Sequence, residues 1–505
     1  MSDEVLVRAS LIGKTYPDGT VALKGVDFEV KRGEIHGLLG ENGAGKTTLT
    51  KILSGILKPT TGHLYVRGNE VNLRRPQDAL ALGIGMVHQN LALVKRFTAF
   101  ENILLGTKEN PRGRGADRLH DEIVALCEKV GLKVPLDGLV ENLSLGVQQR
   151  VEIVKMLYRE VDVLILDEPT SSLTPTGTDE LFKTLRRIRE EGKGMVFITH
   201  KLREVMEVCD KITVLRQGEV TGVTSSKESD KRALARMMVG RDIVLELRRE
   251  PSTPGEPVLE VRSLTVLNNA NVPAVKGVTF EVRRGEVFGI AGVEGNGQTE
   301  LSEALSGIRP VKSGTVKLSG KDTTKASPRA IRSIGAALIP EDRGLTGLVM
   351  EMNLEENVIL GKHREKQFSG GGISISWAKV AEFARSLIAR FGIVTPGTKS
   401  AVKSLSGGNQ QKVVVSRELS SEPDFILASQ PTRGLDVAST EYMRKLLLNA
   451  RNNRKGVLLV SADLDEVLQL SDRIGVMYEG EIIGVLPSDK ATKESVGLLM
   501  GGVLD

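Results

Sequence analysis

Two glycine-spaced octapeptides dominate the chemistry of this chain: Gly40-Glu41-Asn42-Gly43-Ala44-Gly45-Lys46-Thr47 and Gly292-Val293-Glu294-Gly295-Asn296-Gly297-Gln298-Thr299. Glycines at this spacing let the backbone turn tightly, so that successive amide groups point at a phosphate chain. The positive end of the helix that follows adds to the same field. In the first octapeptide Lys46 is placed for the β and γ phosphates of ATP, and the Thr47 hydroxyl for Mg²⁺. Thr48 completes the nucleotide-binding set. The second octapeptide has Gln298 where the lysine stands, and lacks that positive charge.

Other groups suited to phosphate chemistry follow the first octapeptide. Asp167 and Glu168 close the apolar run Val163-Leu164-Ile165-Leu166. Asp167 is expected to hold Mg²⁺, directly or through water, and Glu168 to act as the base or orient the attacking water. His200 follows the apolar run Met195 to Thr199 and is expected to contact the γ phosphate and support Glu168. Gln89, in Val87-His88-Gln89, is suited to bridging Mg²⁺ or the attacking water to a mobile segment; an ordinary polar loop residue is the alternative. Tyr16, in Lys14-Thr15-Tyr16-Pro17, offers a ring to stack on adenine, or is a plain strand-edge tyrosine.

The elements that must position these groups occur twice. Lys24-Gly25-Val26-Asp27-Phe28-Glu29-Val30 returns as Lys276-Gly277-Val278-Thr279-Phe280-Glu281-Val282, and Leu143-Ser144 as Leu405-Ser406. The offset grows between the two pairs, so residues are inserted in the second copy, part of them in the glycine-rich tract from Ser369 to Gly372. A period of about 250 residues is a domain duplication, since solenoid repeats run to roughly 20 to 50 residues. Strands are expected at Ala22 to Val30, Ile35 to Leu39, Val163 to Leu166 and Met195 to Ile198. Short apolar runs ending in polar groups mark a mainly parallel sheet buried on both faces. Helices are expected at Thr48 to Leu57 and, in a helical insert, at Leu119 to Val130.

A chain of 505 residues suits two domains of about 200 to 250 residues. The expected division is a first domain at 1–247, a linker at 248–257, where Pro251, Pro254 and Pro257 break regular structure, and a second domain at 258–505. The net charge of +5 is mild and comes without a long basic block, so it demands no nucleic-acid partner. Cys127 and Cys209 lie far apart and form no metal or disulfide pattern. With neither a signal-peptide segment nor a run of about 20 apolar residues, the chain is expected to stay in the cytoplasm and reach a membrane through a partner.

The arrangement resembles ATP-binding-cassette ATPases. The residues that carry the resemblance are Leu405-Ser406-Gly407-Gly408-Asn409-Gln410-Gln411, the family signature in intact form. The first copy has Leu143-Ser144-Leu145-Gly146-Val147-Gln148-Gln149, with Leu145 where a glycine is usual. The resemblance implies an α/β fold of two tandem P-loop ATPase domains, each a mainly parallel core sheet with an antiparallel β subdomain and a helical subdomain. It also implies head-to-tail pairing, with each ATP held between one cassette's phosphate loop and the other's signature.

More narrowly, the chain is similar to the fused double ATPase subunit of importers for simple sugars or nucleosides. The similarity rests on Tyr158-Arg159, Leu166-Asp167-Glu168-Pro169-Thr170, Leu173-Thr174-Pro175 and Ile198-Thr199-His200-Lys201-Leu202 in the first half. In the second half it rests on Ile339-Pro340-Glu341-Asp342-Arg343 and Gln430-Pro431-Thr432-Arg433-Gly434-Leu435-Asp436. Leu93-Val94-Lys95-Arg96-Phe97-Thr98 resembles the nucleoside branch, whose substrate arrives on a lipid-anchored binding protein. The resemblance implies two membrane permease subunits as partners, received by the segments after Gln89 and Glu341, and no nucleic acid.

On that resemblance the second copy departs from the pattern at each chemical position. Gln298 replaces Lys46, Ser429 replaces Asp167, Gln430 replaces Glu168, Ala462 replaces His200 and Asn268 replaces Tyr16. The loop residues Gly292, Gly295, Gly297 and Thr299 persist. Under head-to-tail pairing, the complete machinery of copy one meets Ser406, Gly407 and Gly408. The depleted machinery of copy two meets Ser144, Leu145 and Gly146. One composite site is expected to hydrolyse ATP and the other to be degenerate.

Overall fold

The computed structural model describes residues 4–502 apart from 90, 111–112, 114, 171–172, 174, 242–248, 251 and 370–373. Thr174, the tract at 370–372 and part of the expected linker therefore lie outside the described residues. The chain divides into two compact units, Met1–Ile243 and Val244–Asp505.

In the first unit, strands Val5–Thr15, Val21–Lys31, Thr61–Val66 and Asn69–Val71 form a four-stranded antiparallel sheet. A second sheet orders six strands as Glu219–Ser225, Lys211–Arg216, Ile35–Gly40, Gly194–Thr199, Val163–Asp167 and Ile84–Val87. All neighbours in it are parallel except the first pair. Ile35–Gly40 and Gly194–Thr199 are buried at every residue, which explains their mainly apolar character, His36 and Thr199 being the polar residues. Helices Ala99–Leu104, Ala116–Val130 and Leu145–Tyr158 pack together as the helical part.

The second unit repeats this plan. Pro257–Leu267, Pro273–Arg283, Val311–Leu318 and Lys321–Asp322 form its antiparallel sheet. Ala336–Ile339, Phe425–Ser429, Gly456–Ser461, Val287–Ala291 and Arg473–Tyr478 run parallel, with Glu481–Pro487 antiparallel at the edge. Helices Leu354–Val358, Trp377–Phe391 and Gly407–Leu419 share a buried apolar cluster with the strands Phe425–Ser429 and Gly456–Ser461.

The expected strands and the amphipathic helix lie where the periodicity places them, each extended by a residue or a few. The helix after the first phosphate loop is a correction. It spans Lys46–Leu53 instead of Thr48 to Leu57. Gly45, at φ 106°, turns the chain so that helical geometry begins at once with Lys46. Gly55, at φ 73°, ends the run two residues past Leu53, before the apolar residues Ile56 and Leu57 can join it.

Candidate active site

The first phosphate loop leaves the buried strand Ile35–Gly40 and enters the helix Lys46–Leu53. A Cβ on Gly45 would lie 2.7 Å from the Ala22 carbonyl oxygen, so both its φ and its surroundings demand glycine there. Lys46 is buried, and its ammonium donates to the carbonyls of Gly40 at 2.7 Å and Glu41 at 3.0 Å. Burial pushes the Lys46 pKa down, while Glu168, Asp167 and Glu41 oppose that shift. Thr47 is exposed at the first turn, whereas Thr48 is buried and pairs with the Tyr16 hydroxyl at 3.2 Å. Tyr16 thus borders the start of the phosphate-loop helix.

Glu168 stands at the centre of a small network. The strand Val163–Asp167 delivers it, and its backbone N–H donates to the Ile198 carbonyl at 3.0 Å. Its φ of 46° is left-handed, a strained setting for a residue with a side chain, and such settings cost about 1–3 kcal/mol. The carboxylate accepts from Gln89 Nε2 at 3.1 Å and pairs with His200 Nδ1 at 3.0 Å. Three residues far apart in sequence therefore meet on one carboxylate. The hydrogen bond with His200 holds the Glu168 pKa below the usual carboxylate range, against the opposing effect of burial. An ionised Glu168 accepts only, so the proton of His200 sits on Nδ1.

Asp167 responds in the opposite direction. Burial, and then the neighbouring Glu168, raise its pKa, with Lys46 opposing. A divalent cation would relieve that crowding of negative charge. Mg²⁺ usually takes one or two carboxylates, with substrate phosphates and water completing the shell. Among the described residues no cluster of three or more His, Cys, Asp and Glu forms an all-protein metal cage. Thr47, Asp167 and Gln89 fit the role of Mg²⁺ residues beside a phosphate loop. A separate cavity of about 450 Å³, lined by Arg32, Asp210, Lys211 and Glu228 among others, contains none of these groups.

The second unit keeps the backbone and replaces the chemistry. Gly297 has φ 101° and precedes the helix Gln298–Leu305. The Gln298 amide donates to the Val293 carbonyl at 2.9 Å, holding the loop without supplying a charge. Gln430 keeps the left-handed φ of its counterpart, at 45°, and its N–H donates to the Val460 carbonyl at 2.7 Å. Its side-chain oxygen accepts from the backbone N–H of Ala462 at 3.2 Å. Ser429, buried, ends the strand where copy one has Asp167. Asn268 makes a local turn, its side chain accepting from the N–H groups of Ala270 and Val272.

Two charged groups of this second site lie within motifs already quoted, which give no sign that they meet. Glu341 accepts from the Thr299 hydroxyl at 3.1 Å and is paired with Arg433. Arg433 also reaches Glu294 of the phosphate loop at 3.2 Å. The register of the copies holds the signal: Gln89 gives way to Glu341 and Ser171 to Arg433, so a new carboxylate and a new cation arise together.

The two signature segments open helices. Ser406 caps Gly407–Leu419, its hydroxyl accepting from the Asn409 side chain at 2.9 Å. A Cβ on Gly408 would lie 2.1 Å from Ser439 Oγ. Ser144 precedes Leu145–Tyr158 without a side-chain capping bond, and Leu145 is 51% exposed; Gly146 follows it.

The segments after Gln89 and Glu341 are also built alike. The buried Asn102 amide binds both backbone groups of Val94, and Asn357 does the same for Val349. Leu345, on the helical turn Arg343–Gly347, is 85% exposed.

Comparison with known proteins agrees with this duplicated geometry. The ABC transporter family model matches residues 23–171 and 275–433. A nucleoside import ATP-binding protein of Lactococcus lactis subsp. cremoris is 43% identical over 99% of each chain. A glucose import ATP-binding protein of Haloferax volcanii is 42% identical over 99% of this chain and 96% of its own. A guanosine import ATP-binding protein of Bacillus subtilis is 41% identical over 99% of this chain and 98% of its own. Among solved structures, an archaeal ribosome recycling factor in complex with ribosomal stalk protein aP1 matches 92% of this chain and 87% of its own with a TM-score of 0.60. At 20% identity that likeness is one of fold alone. With both copies matched by the family model, and with relatives above 40% identity over nearly its whole length, the chain belongs to the ABC transporter family and is an ATP-hydrolysing protein with two P-loop ATPase domains.

Proposed function

We propose that this protein is the fused ATPase subunit of a nucleoside importer, with cassettes at 1–247 and 258–505 acting at the cytoplasmic face of the membrane. The observation that carries the reading is the unequal equipment of two matching backbones. Copy one assembles Lys46, Asp167, Glu168, His200 and Gln89, whereas copy two holds Gln298, Ser429, Gln430 and Ala462 in the corresponding places. ATP with Mg²⁺ is hydrolysed in a site made of the copy-one groups and the Ser406-Gly407-Gly408 segment of copy two. The other composite site, at Gly292 to Thr299 with Ser144 and Gly146, does not turn over.

The chain's own residues divide the work at the active site. Mg²⁺, when bound, would supply positive charge that polarises the phosphates. Lys46 and the loop amides orient the triphosphate, and Thr47, Asp167 and Gln89 would hold the ion. Glu168, fixed by His200 and ionised, orients and deprotonates the attacking water. Tyr16 supports the adenine.

No helix among the described residues is long and apolar enough to cross a membrane; on this reading partner subunits form the pore. Two permease subunits dock on the segments after Gln89 and Glu341, where Val94 presents an exposed apolar side chain beside Lys95 and Arg96 in the first copy and Leu345 presents one in the second. A substrate-binding lipoprotein delivers the solute, and nucleic acid has no part. The relatives named for nucleoside and guanosine import support the solute class.

A simple-sugar importer is the second reading, favoured by the 42% identity to a glucose import protein. Uptake of radiolabelled nucleosides and sugars by cells lacking this chain separates the two. Loss of nucleoside uptake alone is expected, and loss of sugar uptake alone would replace the first reading with the second. Cosedimentation with ribosomes at high salt, in place of a membrane complex, would overturn both.

A further inference from the structure

The second copy lacks both the lysine and the aspartate of the first, yet its phosphate loop keeps the shape of a phosphate-binding nest. Gly295 and Gly297 have φ of 93° and 101°, against 82° and 106° for Gly43 and Gly45. A cavity of about 150 Å³ opens beside this loop, lined by Gly295, Gln298, Thr299, Glu341, Ser429 and Gln430, among others. Backbone amides alone bind a triphosphate weakly without a neighbouring cation. Gln298 supplies none, since its amide is folded back on the Val293 carbonyl.

A cation does stand at the rim. Arg433 follows the strand Phe425–Ser429, and its guanidinium spans Glu294 in the phosphate loop and Glu341 on the opposite wall. Its backbone is held in place by Arg343, whose guanidinium donates to the Arg433 carbonyl at 3.1 Å. The side chain is half exposed and can change partner. Glu341 at the same time accepts from the Thr299 hydroxyl, so one carboxylate occupies both the cation and the hydroxyl that would face phosphate oxygens. A planar guanidinium matches phosphate in a two-pronged manner and keeps its charge at all working pH values.

We infer that copy two binds a nucleoside triphosphate through Arg433, which replaces the lost lysine charge from a different place in the fold and exchanges Glu341 and Glu294 for phosphate oxygens. This rests on the reading that copy two retains a nucleotide loop. It separates binding from turnover: an arginine brought from outside the loop holds phosphates, while Gln430 and Ser429 offer neither base nor metal carboxylate. Glu341 is the competitor of the ligand.

Photolabelling of the full chain with 8-azido-ATP, followed by digestion and assignment of label to residues 1–247 or 258–505, tests the inference. In the unaltered chain both halves take label. Arg433→Ala is expected to raise the concentration for half-saturation of the second half about tenfold. Arg433→Lys should recover part of this, and Glu341→Gln should lower that concentration below the unaltered value. Thermal melting checks that each variant is folded, and the gain expected for Glu341→Gln does not follow from misfolding. Label in the second half that is indifferent to all three substitutions overturns the role of Arg433 alone. No label in the second half of the unaltered chain overturns the retained nucleotide loop itself, and this inference with it.

Discussion

The guanidinium of Arg343 fills the space that a side chain on the signature residue Gly407 would need: a Cβ there would lie 2.6 Å from Arg343 Nη2. From that place Arg343 reaches Gln410 on the signature helix at 3.4 Å and the Arg433 carbonyl at 3.1 Å. The glycine of the intact signature is thus matched to an arginine that ties the helix to the loop beyond Phe425–Ser429. In copy one the equivalent position carries Leu145, about half exposed to solvent.

Gly407→Leu should therefore displace Arg343 and loosen the start of helix Gly407–Leu419. Overpacking of this kind costs about 1–3 kcal/mol. Adding Arg343→Ala should recover the thermal midpoint but not ATP turnover, because the leucine still covers the signature. Calorimetry and a phosphate-release assay on the single and double variants check both halves of the expectation.

The pairing of Glu168 with His200 makes a pH prediction. That hydrogen bond is the main cause of the depressed Glu168 pKa, while burial pushes the other way. Removing it with His200→Ala raises the pKa. Since the base must be ionised, the acidic limb of the kcat/KM profile should move to higher pH, in addition to any fall in the plateau. An unmoved limb with a lower plateau would mean that His200 acts only on the phosphate.

The fold and the backbone of the phosphate loop were legible because their signals are local. Glycine spacing dictates the phosphate loop, and unbroken apolar runs such as Val163 to Leu166 dictate buried parallel strands. The end of the helix after Lys46 was not legible, since Ile56 and Leu57 continue the apolar content and only the conformation of Gly55 ends the helix. Arg433 was quoted as part of a motif, but its reach to Glu294 and Glu341 depends on tertiary distances of 92 and more residues in sequence. The meeting of Gln89 and His200 on Glu168 was legible in part, as roles without a shared atom.

Restoring lysine with Gln298→Lys should leave steady-state turnover unchanged. The site would regain a phosphate cation, but Ser429 and Gln430 still lack the metal carboxylate and the base. Groups of this kind act as a unit, so one restored member brings little. A doubling of the steady-state rate would contradict the expectation.

His36 gives copy one a sensitivity to acid that copy two lacks. Its ring is buried, with Nε2 2.8 Å from Thr213 Oγ1, and burial, with Lys211 adding to it, pushes its pKa from 6.5 down to about 3. The folded pKa is the lower one, so between these values the unfolded chain binds a proton that the folded chain refuses. Stability therefore falls as pH drops through that window, by up to about 1.4 kcal/mol per pH unit. Copy two has Phe288 and Gly475 at the two positions, and a Cβ on Gly475 would lie 3.1 Å from the Phe288 ring. The paired substitution His36→Phe with Thr213→Gly should remove the contribution of His36 to that slope. Hydrogen exchange at Ile35–Gly40 across that pH window reads it directly.

The proposed division into one hydrolysing and one silent site stands on Glu168. Glu168→Gln keeps the shape of the side chain and the partner Gln89 while removing the carboxylate, and loss of such a transition-state group lowers rates by about 10² to 10³. Steady-state ATP turnover of the full-length variant, measured beside ATP binding, is the most direct test. Turnover lost at least a hundredfold with ATP still bound is the expected result. Turnover that persists at half the original rate would place working catalytic groups in copy two and contradict the asymmetry.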